Sequence, residues 1–118
     1  MTMKTKFKQL KKLQSSIIEL LKKHEYQSII KEELKFDMET LDHSTLLYLF
    51  GTNRLALNDL ILAEKYLKKS IKINNNSAHA VANLGMVYDK QEKFDEAHEC
   101  YINSIEIDPK HFEGQYNL

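Results

Sequence analysis

The residues of this sequence that could bind a metal ion or act as nucleophiles are five histidines and one cysteine. His98 and Cys100 are two positions apart, and on a helix that spacing points two side chains to different faces, which makes a poor pair of metal ligands. His43 and His111 are separated by twice the repeat interval described below, and this regularity favours a structural role. Cys100 lies in an apolar helical stripe, a pattern typical of a buried and inert thiol.

Sequence motifs for catalysis and phosphate binding do not occur in this chain. There is no glycine-rich phosphate loop, no HExxH helix and no nucleophile elbow. The carboxylates between residues 89 and 99 are typical of a solvated turn and helix face. We therefore predict that the chain is not an enzyme and uses neither a cofactor nor a metal.

Composition and charge favour a helix-rich protein with little attraction for polyanions. The 118 residues include 17 Lys+Arg and 17 Asp+Glu, 42% hydrophobic residues, three glycines and one proline. Overall neutrality argues against nucleic acid as a partner, and no apolar run is long enough to span a membrane. A single cysteine cannot form an intrachain disulfide, so we expect a soluble, cytoplasmic protein. The charge is uneven, because residues 1–77 hold 14 basic and 9 acidic side chains and residues 78–118 hold 3 and 8.

The elements that would position these side chains recur at a fixed interval along the chain. Residues 44–77 align without a gap on residues 78–111. An interval of about 34 residues is typical of a solenoid, in which each unit buries its apolar face against its neighbours. The identical pairs at this offset are Gly51 and Gly85, Ala63 and Ala97, Ser70 and Ser104, Ile71 and Ile105, and Ile73 and Ile107.

Each unit is predicted to be a pair of antiparallel helices. In the second unit, Val81, Leu84, Val87 and Tyr88 follow helical spacing, and another apolar stripe follows the polar turn at residues 89–93. The glycine within the first helix of each unit costs about 1 kcal/mol relative to alanine. A helix tolerates that cost where the missing side chain lets a partner helix approach closely.

These features resemble the tetratricopeptide repeat, a helix–turn–helix unit of about 34 residues. Residues 44–77 resemble this repeat more loosely than residues 78–111 do. Their match is carried by Gly51 and Ala63, and they depart from the pattern at Arg54 and Asn75. The resemblance implies an all-α fold, a right-handed α-solenoid of antiparallel helix pairs with about three units and the start of a further helix. In residues 78–111 the signature positions are held by Val81, Leu84, Gly85, Tyr88, Ala97, Tyr101 and Pro109.

Both ends of the chain depart from this pattern. Residues 1–43 are predicted to form a degenerate helix pair that caps the solenoid, with one apolar stripe from Phe7 to Leu21 and another from Ile29 through Leu34 to Met38. Its basic opening could instead lie on a membrane surface. Residues 112–118 are expected to begin the first helix of a further unit, or to form a capping helix.

The resemblance also implies a binding surface, because the first helices of such units line a concave groove that holds a peptide or a partner helix. Asn83 and Asn117 occupy a slot where many family members place asparagine, whose amide both donates and accepts hydrogen bonds. An asparagine that merely caps or solvates its helix is the alternative interpretation. The predicted groove residues are Tyr48, Leu49, Thr52, Leu55, His79, Asn83, Met86, Lys90 and Asn117.

Chaperone C-terminal tails are not expected partners. Family members that bind those tails use a clamp of Lys, Asn, Asn, Lys and Arg for the terminal carboxylate. Here the clamp positions hold Tyr48, Thr52, Asn83, Glu113 and Asn117, and Glu113 would repel a carboxylate.

We therefore expect a non-catalytic scaffold or adaptor that binds a protein or peptide in the concave groove. One alternative is the N-terminal region of a larger enzyme, such as a glycosyltransferase, a methyltransferase or a prolyl isomerase. Another is a module that associates with copies of itself through the open C-terminal end.

Overall fold

The computed structural model describes residues 2–110, and these residues contain helices and turns but no strand. The all-α prediction is thus confirmed for this range. The chain divides into two compact units, the first ending at Leu41 and the second starting at Asp42. The helices are α1 (Met3–Lys22), α2 (Tyr26–Glu33), α3 (Ser44–Ala56), α4 (Leu60–Ile73), α5 (Ala78–Lys90) and α6 (Phe94–Ile107).

In the second unit, α3 packs on α4, α5 packs on α6, and α4 and α5 join the two pairs. Three of these helices begin at a side chain that accepts a hydrogen bond from the backbone N–H three residues later, which satisfies one of the unpaired donors of a first turn. The accepting side chains are those of His43 for α3, Asp59 for α4 and Ser77 for α5, at 3.2 to 3.3 Å.

The turn inside each helix pair has the same backbone conformation. His24, Asn58 and Glu92 have φ angles of 58°, 63° and 61°, in the left-handed region that non-glycine residues rarely adopt. Successive members of this set are separated by one repeat interval. The left-handed residue follows the first helix of its pair, so the turn between α1 and α2 repeats the geometry of the turns in the second unit.

Glycine allows the two helices of each pair in the second unit to pack closely. A Cβ atom placed on Gly51 would lie 2.9 Å from the Cγ atom of Leu67, and one on Gly85 would lie 2.8 Å from the Tyr101 ring. Both distances are shorter than real Cβ atoms tolerate. The apolar core around these contacts consists of Leu55, Ala63, Leu67, Val81, Leu84, Val87 and Cys100.

In both pairs of the second unit, a serine joins the second helix to the start of the first by a hydrogen bond. The Ser70 hydroxyl donates to the Ser44 carbonyl oxygen at 2.7 Å, and the Ser104 hydroxyl donates to the Ala78 carbonyl oxygen at 2.9 Å. The two bonds occupy equivalent positions of the repeat, and both serines are buried. Each is therefore a hydrogen bond within the core, where an unpaired hydroxyl would be costly.

The predicted apolar stripe of the second helix in the first unit is too long. Helix α2 ends at Glu33, so Leu34 and Met38 lie beyond it, and Leu34 is 75% exposed. The Asp37 carboxylate accepts a hydrogen bond from the Glu39 N–H at 3.0 Å, which favours a turn over a further helical turn. The prediction for residues 112–118 lies outside the described residues.

Candidate partner-binding surface

Helices α3 and α5, the first helices of the two pairs in the second unit, lie side by side and are joined by a polar contact. The Asn83 side-chain amide donates to the Thr52 hydroxyl at 3.0 Å. Tyr48 precedes Thr52 by one helical turn, and its hydroxyl faces both of these side chains. Tyr48, Thr52 and Asn83, which we call the polar cluster, thus place a phenol, a hydroxyl and an amide together on adjacent helices.

Burial, and not the polar cluster, favours the neutral form of the Tyr48 phenol. Partial burial raises the pKa of the Tyr48 phenol, and the hydrogen bonds with Thr52 and Asn83 offset only part of that rise. A neutral phenol both donates and accepts a hydrogen bond, as do the threonine hydroxyl and the asparagine amide. The arrangement therefore offers donors and acceptors to a main chain without adding formal charge.

The predicted groove residues differ in how far they reach solvent. Leu49 and Leu55 are 3% and 6% exposed, so they pack in the interior and offer no open surface. His79, Met86 and Lys90 on α5 are exposed, with Met86 at 39%. The accessible part of the predicted surface is therefore the α5 face together with the polar cluster. The ninth predicted residue, Asn117, lies outside the described residues.

Most of the predicted signature residues are buried or half-buried within the second unit. Gly51, Ala63, Leu84, Gly85 and Ala97 are buried between helices. Tyr88 and Tyr101 are half-buried, and the Tyr101 hydroxyl donates to the Asp89 carboxylate at 2.6 Å. Pro109 is exposed just after Asp108, the last capping residue of α6.

A second polar network, which the sequence did not reveal, joins α4 to the end of α5. The Gln91 amide donates to the Glu64 carboxylate at 3.1 Å, and the Lys68 ammonium lies 3.0 Å from the same carboxylate. Burial acts to raise the Glu64 pKa, but these hydrogen bonds and the nearby lysines outweigh it and lower that pKa. The Lys68 and Lys93 ammonium groups lie 6.0 and 5.9 Å from the centre of the Tyr88 ring. A Glu64–Lys68 pair four residues apart was visible in the sequence, but its link to Gln91 depends on the fold.

Cys100 is buried against the core of the second unit, and burial raises its pKa to about 11. The nearby Glu99 carboxylate contributes to this rise, and Lys68 opposes it. A thiol with such a pKa is a poor nucleophile. Within residues 2–110, no three His, Cys, Asp or Glu side chains converge in a way that could hold a metal ion. Over the same range, no helix combines the length and the apolarity that crossing a membrane requires.

Two cavities lie outside the polar cluster. One of about 340 Å³ is lined by Met86, Asp89, Lys90 and Tyr101. The other, of about 610 Å³, lies where α4 and α6 end and is lined by Ile71, Asn75, Asn76, Val81, Asn103, Glu106 and Ile107.

Helix pairs that share a turn geometry, a glycine contact and a serine hydrogen bond at one fixed interval define a helical-repeat protein. Sequence models of the tetratricopeptide repeat match residues 44–77 and 80–111, which together make up more than half of the chain. The chain belongs to the tetratricopeptide repeat family, whose repeats form protein–protein interaction modules.

A solved structure supports the same fold. The crystal structure of MamA matches with a TM-score of 0.65 at 26% sequence identity. The match covers 83% of this chain and 56% of MamA, so this chain spans little more than half the length of that relative.

Proposed function

We propose that this chain is a non-catalytic adaptor that holds an extended peptide, or an extended segment of a partner protein, across α3 and α5. The observation that carries the proposal is the polar cluster, flanked on α5 by the exposed side chains of His79 and Met86. An extended peptide has unpaired N–H and C=O groups, and the cluster presents donors and acceptors to them.

Asn83 and Met86 have complementary roles in this proposal. The Asn83 amide donates one N–H to Thr52 and also makes a hydrogen bond with the Tyr48 phenol, and its remaining donor or acceptor capacity is offered to a peptide main chain. Met86 lies three residues further along α5 and offers a flexible apolar side chain that adapts to different partner residues. The surface thus binds main chain through Asn83 and gains affinity from an apolar side chain at Met86.

The proposal can be tested without a known partner by selecting peptides from a random phage-displayed library on the immobilised chain. The selected peptides are then titrated against the wild type and against the double variant His79→Ala, Met86→Ala by fluorescence anisotropy. Both side chains are exposed, so their removal leaves the core intact. We expect the double variant to bind about tenfold or more weakly, the usual effect of removing a contact residue that dominates an interface.

The matched control is Ile61→Ala, which removes an apolar side chain that is 80% exposed on α4. It should leave the affinity for the selected peptides unchanged, and circular dichroism should show the same helical content in all three proteins. Failure to select any peptide would overturn the proposal. Selected peptides that bind the Ile61→Ala variant more weakly than the wild type, but bind the double variant as tightly as the wild type, would also overturn it.

A further inference from the structure

The outer face of α6 is an exposed apolar stripe. Phe94, Ile102 and Ile105 are 63%, 43% and 42% exposed, although α6 buries Ala97, Cys100 and Ser104 on its other side. Phe94, Tyr101 and Ile105 are spaced by seven and then four residues, which places them in one row along the helix. We call this row, with the neighbouring Ile102, the α6 stripe.

The α6 stripe is bordered by negative charge on its Ile102 side, whereas Lys90 of α5 lines the cavity beside Tyr101. Helix α6 carries Asp95, Glu96, Glu99 and Glu106 and no lysine or arginine. At 100° per residue, Asp95, Glu99 and Glu106 share one side of the helix, directly beside Ile102. A partner that covers the stripe therefore meets an acidic border along that side.

The preceding helix pair shows what covers the equivalent row. One repeat earlier, Phe94, Tyr101 and Ile105 correspond to Leu60, Leu67 and Ile71 of α4. Those α4 residues pack in one cluster with Val81, Leu84 and Val87 of α5. A helix thus packs against this row on α4, and among the described residues a cavity of about 340 Å³ lies beside Tyr101 of α6.

The same chain contains a helix with complementary properties. The first half of α1 exposes Met3 and Phe7, which are 85% and 61% exposed and lie one helical turn apart. The Lys11 ammonium lies 5.2 Å from the centre of the Phe7 ring. No acidic residue precedes Glu19 in the sequence. The lysines of this half are Lys4, Lys6, Lys8, Lys11 and Lys12.

We propose that the chain associates with copies of itself, with the first half of α1 of one copy covering the α6 stripe of the next. Met3 and Phe7 meet the stripe, and the α1 lysines meet Asp95, Glu99 and Glu106. Because two different surfaces make this contact, each added copy leaves one α1 and one α6 stripe open, and the association continues or closes into a ring. It weakens as salt screens the charges.

Sedimentation velocity of the full chain tests this contact across a range of protein and salt concentrations. The wild type should associate as its concentration rises, and less so in high salt. The double variant Glu99→Lys, Glu106→Lys should weaken association by about tenfold or more, as should Lys4→Glu, Lys8→Glu. An equimolar mixture of the two variants restores opposite charges at every contact and should associate again.

The control Glu25→Lys, Asp42→Lys makes the same change in net charge at exposed positions outside α6, and it should associate like the wild type. The His79→Ala variant, which alters the proposed peptide surface away from the cavity beside Tyr101, should also associate normally, and this separates the two surfaces. A wild type that stays monomeric at every concentration overturns the proposal. Charge variants that associate as strongly as the wild type also overturn it, as does a mixture of the two variants that stays monomeric. A third contradicting result is a monomer whose α1 binds vesicles containing phosphatidylserine.

Discussion

At the scale of single residues, Gly51 and Gly85 occupy the same position of the repeat but face different neighbours. A Cβ atom on Gly51 meets the Cγ atom and backbone nitrogen of Leu67, which is fully buried. A Cβ atom on Gly85 meets the Tyr101 ring, which is only half-buried, and the Cys100 Cβ atom at 3.1 Å. The Tyr101 ring has solvent on one side and can shift towards it, at the cost of its hydrogen bond to Asp89, whereas the Leu67 side chain is fully buried.

We therefore expect Gly51→Ala to be the more damaging of the two alanine substitutions. Alanine favours the helix by about 1 kcal/mol over glycine, but overpacking a core costs about 1–3 kcal/mol. The free energy of unfolding should fall by up to about 2 kcal/mol for Gly51→Ala and by less for Gly85→Ala. Urea denaturation measures both changes. Asn103→Ala, at an exposed position of α6, is the control and should be slightly stabilising. A more stable Gly51→Ala variant would contradict the close contact with Leu67.

Cys100 should report the integrity of the second unit through its reactivity. Burial raises its pKa to about 11 from the ordinary value of 9.0, so at pH 8 the folded chain holds about a hundredfold less thiolate than the unfolded chain. Alkylation by iodoacetamide should be slower in the native chain by at least that factor. The same chain in urea is the control, and equal rates in the two conditions would show that Cys100 is not buried.

The same shift makes stability depend on alkaline pH. The folded state favours the neutral thiol, so this contribution is fully present below pH 9.0 and is lost as the pH rises towards about 11.

At the scale of helices, Ser70 and Ser104 make the same bond in successive pairs, and we expect each to stabilise its pair. Ser104→Ala removes a buried hydroxyl that donates to the Ala78 carbonyl oxygen at 2.9 Å. A buried hydrogen bond of this kind contributes about 0.5–1.5 kcal/mol to stability. Urea denaturation should show a loss of that size for Ser104→Ala and for Ser70→Ala.

The control for the serine variants is Ser16→Ala, at an exposed position of α1, which should change stability by less than about 0.5 kcal/mol. Serine variants that lose no more stability than this control would show that the two bonds contribute nothing.

The sequence predicted the helix pairs of the second unit well and the first unit less well, for a physical reason. Two aligned copies of one pattern reinforce each other, so the helices within residues 44–111 follow from spacing alone. Residues 34–38 diverge in sequence from residues 68–72, which lie one repeat interval later, so the comparison gives no support there. There the apolar residues Leu34 and Met38 keep helical spacing, while Asp37 forms a local turn that competes with the helix.

The candidate site was predictable only in part. The family resemblance predicted that α3 and α5 line the groove, but position along a helix could not separate an exposed side chain from one covered by a neighbour. Leu49 and Leu55 are buried for that reason. The bond between Thr52 and Asn83 joins residues 31 positions apart, so it depends on the stacking of two pairs.

At the scale of the whole molecule, a net charge of zero conceals two segments of opposite sign. Basic residues outnumber acidic ones by 14 to 9 in residues 1–77, and acidic residues outnumber basic ones by 8 to 3 in residues 78–118. This distribution provides the basic α1 and the acidic α6 of the proposed self-association. The proposed peptide surface on α3 and α5 presents uncharged polar groups in its polar cluster, so its affinity should depend less on salt.

The central claim is that α3 and α5 of the second unit form the surface that binds a partner segment. The most direct test is to titrate the ¹⁵N-labelled chain with a phage-selected peptide and to measure the chemical-shift changes of the chain's backbone amides. We expect the largest changes along the exposed face of α5 and around the polar cluster, at Tyr48, Thr52, His79, Asn83 and Met86. Changes confined to α6, or to the residues around the cavity of about 610 Å³ where α4 and α6 end, would contradict the claim.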